Sequence, residues 1–209
     1  MRLLELFSGT GSVGNVWKRE NKMNEVTSLD IHPQYNPTKC VDILKWNYRE
    51  YVPGTFHFIW ASPPCTEYSF AKTKGIRDLA LADAIVKRTI KIIAYLKPKY
   101  WVIENPRGLL RQRDFMKKMQ KYRKECTYCK YGTPYKKATD IWTNVNVELK
   151  TCNKHNPCQM YKRYKGHPQH AQRYSKVRYA NSEIGKGTHK ELLYTIPNKL
   201  SRDIFKSMM

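Results

Sequence analysis

Three short stretches carry side chains fit for covalent and acid–base chemistry. In SPPC, residues 62–65, Cys65 directly follows two prolines. Proline neither extends a helix nor donates to a central strand, so the apolar run FHFIWA (56–61) must stop and turn there. A thiol at such a rim is placed for nucleophilic attack, and a nearby basic group or helix N-terminus would lower its pKa. In WVIENP, Glu104 ends an apolar run and Asn105-Pro106 fixes a turn. Desolvation there raises a carboxyl pKa, so the group stays protonated and donates a hydrogen bond. In FSGTGSVG, Gly9-x-Gly11-x-x-Gly14 permits a tight turn and close backbone approach to a ligand. Asp30 follows Gly11 by 19 residues and can accept ribose hydroxyls. Asp42 can reach an adenine amino group. The glycine turn and its two acids fit a nucleotide-like cofactor, NAD or S-adenosylmethionine alike.

These groups need a frame that brings them together. RLLELF (2–7), EVTSLD (25–30), TKCVDIL (38–44), FHFIWA, KYWVIEN (99–105) and TDIWTNVNVEL (139–149) read as strands. SVGNVWKREN has helical spacing. From Arg77 to Leu96, Leu79, Ala82, Ile85, Val86, Ile90 and Ile93 recur every three or four residues, predicting one long helix. Residues 109–121 also read as helical. Strands alternating with helices predict an α/β domain with a mainly parallel sheet. Ligands of such sheets bind outside the carboxyl ends of the strands. The glycine turn, Asp30, Asp42, Cys65 and Glu104 all fall at such ends.

Composition points to the partner. The chain of 209 residues has 39 Lys+Arg against 17 Asp+Glu, a net charge of +22. That excess exceeds what solubility requires and suits a polyanion, DNA or RNA. No apolar stretch approaches the roughly 20 residues of a membrane span, and the N-terminus lacks a signal peptide's pattern. An intracellular protein is expected, with its cysteines free of disulfides. We place a boundary near residue 150, dividing a catalytic domain (1–149) from a basic region (150–209). The stretch 151–209 holds 12 Lys/Arg and 3 Asp/Glu. Within it, YKRYKGHPQHAQRYSKVRY interleaves basic groups for phosphates with tyrosines for unstacked bases. Cys126-x-x-Cys129 and TCNKHNPC bring further thiols. With Cys126 and Cys129 on one strand, alternation sends them to opposite faces. A candidate zinc set is therefore Cys129, Cys152, Cys158 and one of the histidines, such as His167, with cysteines that hold no metal as the alternative.

LELFSGTGSVG, SPPCTEYS and VIENP, in this order and spacing, resemble the cytosine-C5 DNA methyltransferases, over roughly residues 1–145. The short length further resembles compact versions from phages and large DNA viruses. The resemblance implies a Rossmann-like class I S-adenosylmethionine-dependent fold with a small basic C-terminal target-recognition extension. It implies that Cys65 attacks C6 of a flipped cytosine and that Glu104 hydrogen-bonds N3 and the exocyclic amine. Phe7, Gly9, Gly11, Asp30, Ile31, Asp42 and Pro64 match the family's contacts to S-adenosylmethionine. The expected substrate is double-stranded DNA, with RNA as the alternative. The expected state is a monomer in the cytoplasm, or in a host nucleus.

The chain also departs from that family. Aligned on Gly132-Thr133-Pro134, Tyr135 stands at the glutamine of the family's Gln-x-Arg-x-Arg element, Lys137 at its first arginine and Thr139 at its second. The second arginine normally supports the base's O2 and the glutamate. Lys137 or Lys136 is the expected substitute, and reduced turnover is an alternative, because lysine does not replace a bidentate arginine. The family's closing motif is not evident, and LLYTIPNKLSRDIF reads as a final helix packing back on the core.

Overall fold

Alternation of apolar residues builds two cores, one on each face of a sheet. Strand β1 (Arg2–Leu6) sends Leu3 to one face and Leu4 and Leu6 to the other. The same alternation separates Phe58 and Trp60 from Ile59 and Ala61 on β4 (Phe58–Ala61). It separates Val102 from Ile103 on β5 (Tyr100–Pro106) and Ile141 from Trp142 on β7 (Ala138–Thr143). Strands apolar on both faces require cover on both. Val13, Val16 and Trp17 of helix α1 (Ser12–Glu20) cover the Leu3 face with Leu200, Ile204 and Phe205 of α3 (Asn198–Lys206). Helix α2 (Leu79–Leu96) covers the other face through Val86, Ile92, Ile93 and Leu96. This computed structural model describes residues 1–158 and 193–208.

The seven strands run in the order β3-β2-β1-β4-β5-β7-β6, with β2 at Glu25–Asp30, β3 at Lys39–Cys40 and β6 at Arg123–Thr127. The first five are parallel; β7 alone is reversed, antiparallel to both β5 and β6. The chain winds from β1 to β3 on one side and from β4 to β5 on the other. The crevice therefore opens at the carboxyl ends of β1 and β4. Among the described residues, no helix is long and apolar enough to cross a membrane.

Several elements are shorter than their sequence patterns. The third strand is only Lys39–Cys40, because the Asp42 side chain accepts Leu44 N–H and starts a turn. The last strand stops at Thr143 instead of Leu149. There Thr143 Oγ1 donates to Trp101 O and Asn144 Oδ1 accepts Trp101 N–H, so side chains end the ladder. Residues 109–121 form 3-10 turns, Leu109–Gln112 and Asp114–Tyr122, and no α-helix. Cys126 and Cys129 do not share a strand: Cys126 lies on β6 and Cys129 in the 3-10 turn Tyr128–Tyr131. Helix α2 starts two residues after Arg77, where Asp78 caps Leu81 N–H at 2.9 Å.

The loops after β4 and β5 are locked to each other. Asn105, fully buried, donates Nδ2–H to Pro63 O at 2.9 Å. Gly108 runs so close that a Cβ there would lie 2.4 Å from Tyr68 O. Its φ of −166° is ordinary extended backbone, so proximity alone demands glycine. Tyr68 donates to Asp83 on α2 at 2.9 Å, and Arg113 holds the same buried carboxylate with both Nε and Nη2. A buried charge persists only when so paired. Gly108→Ala should destabilise the protein by about 1–3 kcal/mol, the usual cost of overpacking. It should also lower any activity of Cys65 and Glu104, because the added methyl pushes their two loops apart. Chemical denaturation and an activity assay check both effects.

Candidate active site

The glycine turn is built on two carboxylates. Glu5, buried in the middle of β1, accepts Val13 N–H at 3.2 Å and Gly14 N–H at 3.0 Å. It thereby satisfies amides that the first turn of α1 leaves unpaired. A Cβ at Gly14 would stand 2.6 Å from Glu5 Oε2, so this glycine makes room for the acid. Burial pushes the Glu5 carboxyl up to about 7. Asp30 accepts Gly9 N–H at 2.8 Å through Oδ2 and His32 N–H at 2.9 Å through Oδ1. Each of its oxygens retains acceptor capacity for a ribose hydroxyl. Gly9 and Gly11 take φ of 46° and 67°, left-handed values that favour glycine.

One cavity of about 590 Å³ gathers most of the expected residues. Phe7, Gly9, Asp30, Ile31, Asp42, Pro64, Cys65, Glu104 and Lys137 all line it. Gly11 does not; it closes the turn behind the wall, donating to Ser8 O at 2.8 Å. The strand order sets Asp30 and Asp42 on one side of β1 and Glu104 on the other. The volume lies within the roughly 300–1,000 Å³ of small-molecule sites.

Cys65 ends the proline turn and opens a 3-10 turn, its carbonyl accepting Tyr68 N–H. Its thiol is pushed above the ordinary value by burial, against the sequence expectation of a lowered pKa. Lys137 is the basic group that pulls it down, Glu104 pushes it up, and burial outweighs the lysine. Glu104 is buried and accepts Tyr128 O–H on Oε1 at 2.7 Å. Lys137 lies 4.8 Å over the Tyr128 ring and donates Nζ–H to Leu193 O at 2.9 Å. Of the two lysines expected to stand in for arginine, Lys137 lines the cavity and Lys136 does not. Tyr135 and Thr139 are buried, and Thr139 gives its hydroxyl to Lys137 O at 3.3 Å.

The final segment also returns to the cavity, where the sequence shows no evident closing motif. Tyr194 and Ile196 line the wall, and Ile196 N–H donates to Ser12 Oγ at 3.2 Å. Only the apolar spacing of LLYTIPNKL hints at this. Glu5 carries a local signal, a charge inside an apolar strand. Tyr128 carried none, because its partner is 24 residues away.

The family model for C-5 cytosine-specific DNA methylases matches residues 1–138. The chain belongs to that family. A relative from Frog virus 3 (isolate Goorha), named a probable DNA (cytosine-5)-methyltransferase, is 31% identical over 213 residues. The match covers 94% of this chain and 95% of the relative. Among solved structures, the S. pombe Dnmt2 methyltransferase superposes with a TM-score of 0.52 at 20% identity. It matches 72% of this chain, which spans 53% of that protein. The Entamoeba histolytica methyltransferase EhMeth gives 0.52 at 16% identity, over 73% of this chain and 57% of its own. The cytosine methylase chain thus has the Rossmann-like α/β fold of class I S-adenosylmethionine-dependent methyltransferases, and its matched part covers little more than half of each of those solved structures.

Away from the cavity, Cys129, Cys152 and Cys158 are buried together, their sulfurs all within 4.8 Å of one another. Cys152 N–H donates to Thr127 Oγ1 at 2.6 Å, and Cys158 N–H to Cys152 Sγ at 3.3 Å. His155 is exposed, and His167 lies outside the described residues.

The thiol chemistry yields a pH prediction. A thiol raised by burial is mostly protonated at neutral pH, so alkylation of Cys65 by iodoacetamide should quicken as pH rises. Removing a cation raises a thiol pKa further. Lys137→Met should therefore slow alkylation at neutral pH and move its rise to higher pH. The measurement uses Cys40→Ser protein, because Cys40 is exposed and would react as well.

Proposed function

We propose that this chain transfers a methyl group from S-adenosylmethionine to C5 of cytosine in double-stranded DNA, as a monomer acting inside the cell, in cytoplasm or host nucleus. One observation carries the reading: the cavity that holds the glycine turn and Asp30 also holds Cys65, Glu104 and Lys137. The wall residues fit the cofactor. Asp30 is the partner for ribose hydroxyls and Asp42 for the adenine amino group. Ile31, an exposed apolar side chain at the cavity, offers the base a face. Phe7, Gly9 and Pro64 complete the wall, and Gly11 shapes it from behind. When bound, S-adenosylmethionine supplies an electrophilic methyl group.

The chain's own residues do the rest. A cytosine must leave the helix to enter a cavity at the end of a sheet. Cys65, as thiolate, adds to C6, forming an S–C6 bond and placing electron density on C5. Glu104 gives its hydrogen bond to N3 and accepts from the exocyclic amine, offsetting charge as the adduct forms. Lys137 favours the thiolate. C5 would then take the methyl group as the cofactor's S–CH3 bond breaks and leaves S-adenosylhomocysteine; water accepts the C5 proton while the Cys65 sulfur departs as thiolate, which restores the ring. The net charge of +22 supplies attraction to phosphates, much of it from the basic region assigned to target recognition.

The same reading assigns one structural zinc to Cys129, Cys152 and Cys158, with a histidine such as His167 completing a tetrahedral set. Three buried thiols this close are a ready-made thiolate site. They join the turn after β6 to the chain entering the basic region.

Labelled S-adenosylmethionine, incubated with duplex DNA and with RNA in parallel, tests the reaction. Label should appear on DNA cytosine C5, located by bisulfite sequencing, and vanish in Cys65→Ala. Label on RNA alone would replace the substrate, and cofactor binding without transfer to either would leave a binding protein. Elemental analysis should find about one zinc per chain. A metal-free protein with an unchanged melting temperature would remove the zinc assignment.

A further inference from the structure

Glu104 performs two tasks with two oxygens, and the reaction requires that they not be exchanged. One oxygen must present a proton to N3; the other must accept from the exocyclic amine. A carboxyl group rotated by half a turn presents the wrong one. The position that supports this carboxyl in the family holds Thr139 here, which is uncharged and gives its hydroxyl to Lys137 O. Something else must orient it.

We infer that Tyr128 is the positioning residue for Glu104, fixing Oε1 as the acceptor oxygen and leaving Oε2 to carry the proton for N3. The inference rests on the cytosine-methylating reading above. Tyr128 is fully buried and its hydroxyl lies 2.7 Å from Glu104 Oε1. Burial, then the neighbouring Glu104 charge, push its phenol well above the ordinary value. It therefore stays a hydrogen donor. An oxygen already receiving one O–H is a poor place for a second proton, so any proton on Glu104 resides on Oε2.

The tyrosine is itself held on three sides. Its backbone N–H donates to Lys137 O at 3.1 Å. The Lys137 ammonium sits over its ring at 4.8 Å, within cation–π range. Gly132, with φ of 97°, turns the chain back and donates to Tyr128 O. Other titratable groups that bear on the Glu104 surroundings are Cys65, Lys137 and the buried Cys126. Among the described residues, none of them donates a hydrogen bond to this carboxyl, whereas Tyr128 does.

Tyr128→Phe removes the donor and keeps the ring. The proton to N3 matters most as the adduct forms, so its loss should fall on kcat and not on KM. The measurement is single-turnover methylation of plasmid DNA, with affinities for S-adenosylmethionine and for DNA determined alongside. The expected result is a rate lowered roughly 10–100-fold, the usual loss for an orienting partner, with both affinities within twofold of the parent. A second protein carries 4-fluorophenylalanine at position 128, which fills the hydroxyl's space without a hydrogen to donate, and it should lose the same factor. A parent-like rate in either protein would overturn the inference. So would loss of cofactor affinity in both, which would make Tyr128 a packing residue. A parent that methylates no DNA would sink the functional reading itself, a different failure from a Tyr128→Phe protein that matches an active parent.

Discussion

A single hydrogen bond, from the Asn105 side chain to Pro63 O, ties the turn that ends at Cys65 to the turn that follows Glu104. The two turns follow neighbouring parallel strands, and nothing in a sheet ladder fixes the height of loops beyond its end. The bond does so, and the absence of a side chain at Gly108 lets the two backbones meet. Asp83 then anchors both loops to α2, through Tyr68 from one and Arg113 from the other. Positioning of reacting groups is worth many powers of ten in rate. Here it depends on a buried amide, a missing methyl group and one paired carboxylate.

The electrostatics follow a common pattern, in which ionisable groups are withheld from water until needed. Glu5, Cys65, Glu104 and Tyr128 all sit in or against the cavity with little or partial exposure. Burial disfavours charge on Glu5, Cys65 and Tyr128. Lys137 is the cation set among them, anchored by Leu193 O and stacked on Tyr128. Arg111 and Arg123 are held elsewhere, on the Asp140 and Glu125 carboxylates of β7 and β6. Arg111, in the turn after β5, and Arg123, on β6, are thus used for structure, while Lys137, just before β7, lines the cavity.

The core of the site was legible because its signals are local. Prolines before Cys65, proline after Glu104 and the spaced glycines each force a turn at a strand end, and strand ends converge in this fold. The period-2 alternation at Leu3–Leu4 and Phe58–Ile59 likewise gives the two-faced sheet. What escaped is what depends on distant partners. Tyr128 matters only because β6 and β7 fold back beside β5. The end of β7 at Thr143 was hidden because Val145 and Val147 continue the apolar alternation while packing outside the ladder. The rise of the Cys65 thiol reflects how deeply the turn is enclosed, a tertiary property that no neighbouring residue spells out.

The wall formed by Tyr194 and Ile196 has a consequence for biosynthesis. Ile196 reaches Ser12 across 184 residues of sequence, and Phe205 packs edge-on against Trp17 at 4.9 Å between ring centres. A growing chain makes the glycine turn long before this wall. All seven strands of the sheet are made before the segment after residue 192. Until that segment emerges, one wall of the cavity is absent and Lys137 lacks its carbonyl anchor. The order of translation therefore delays completion of the cavity until residues 193–196 have been made.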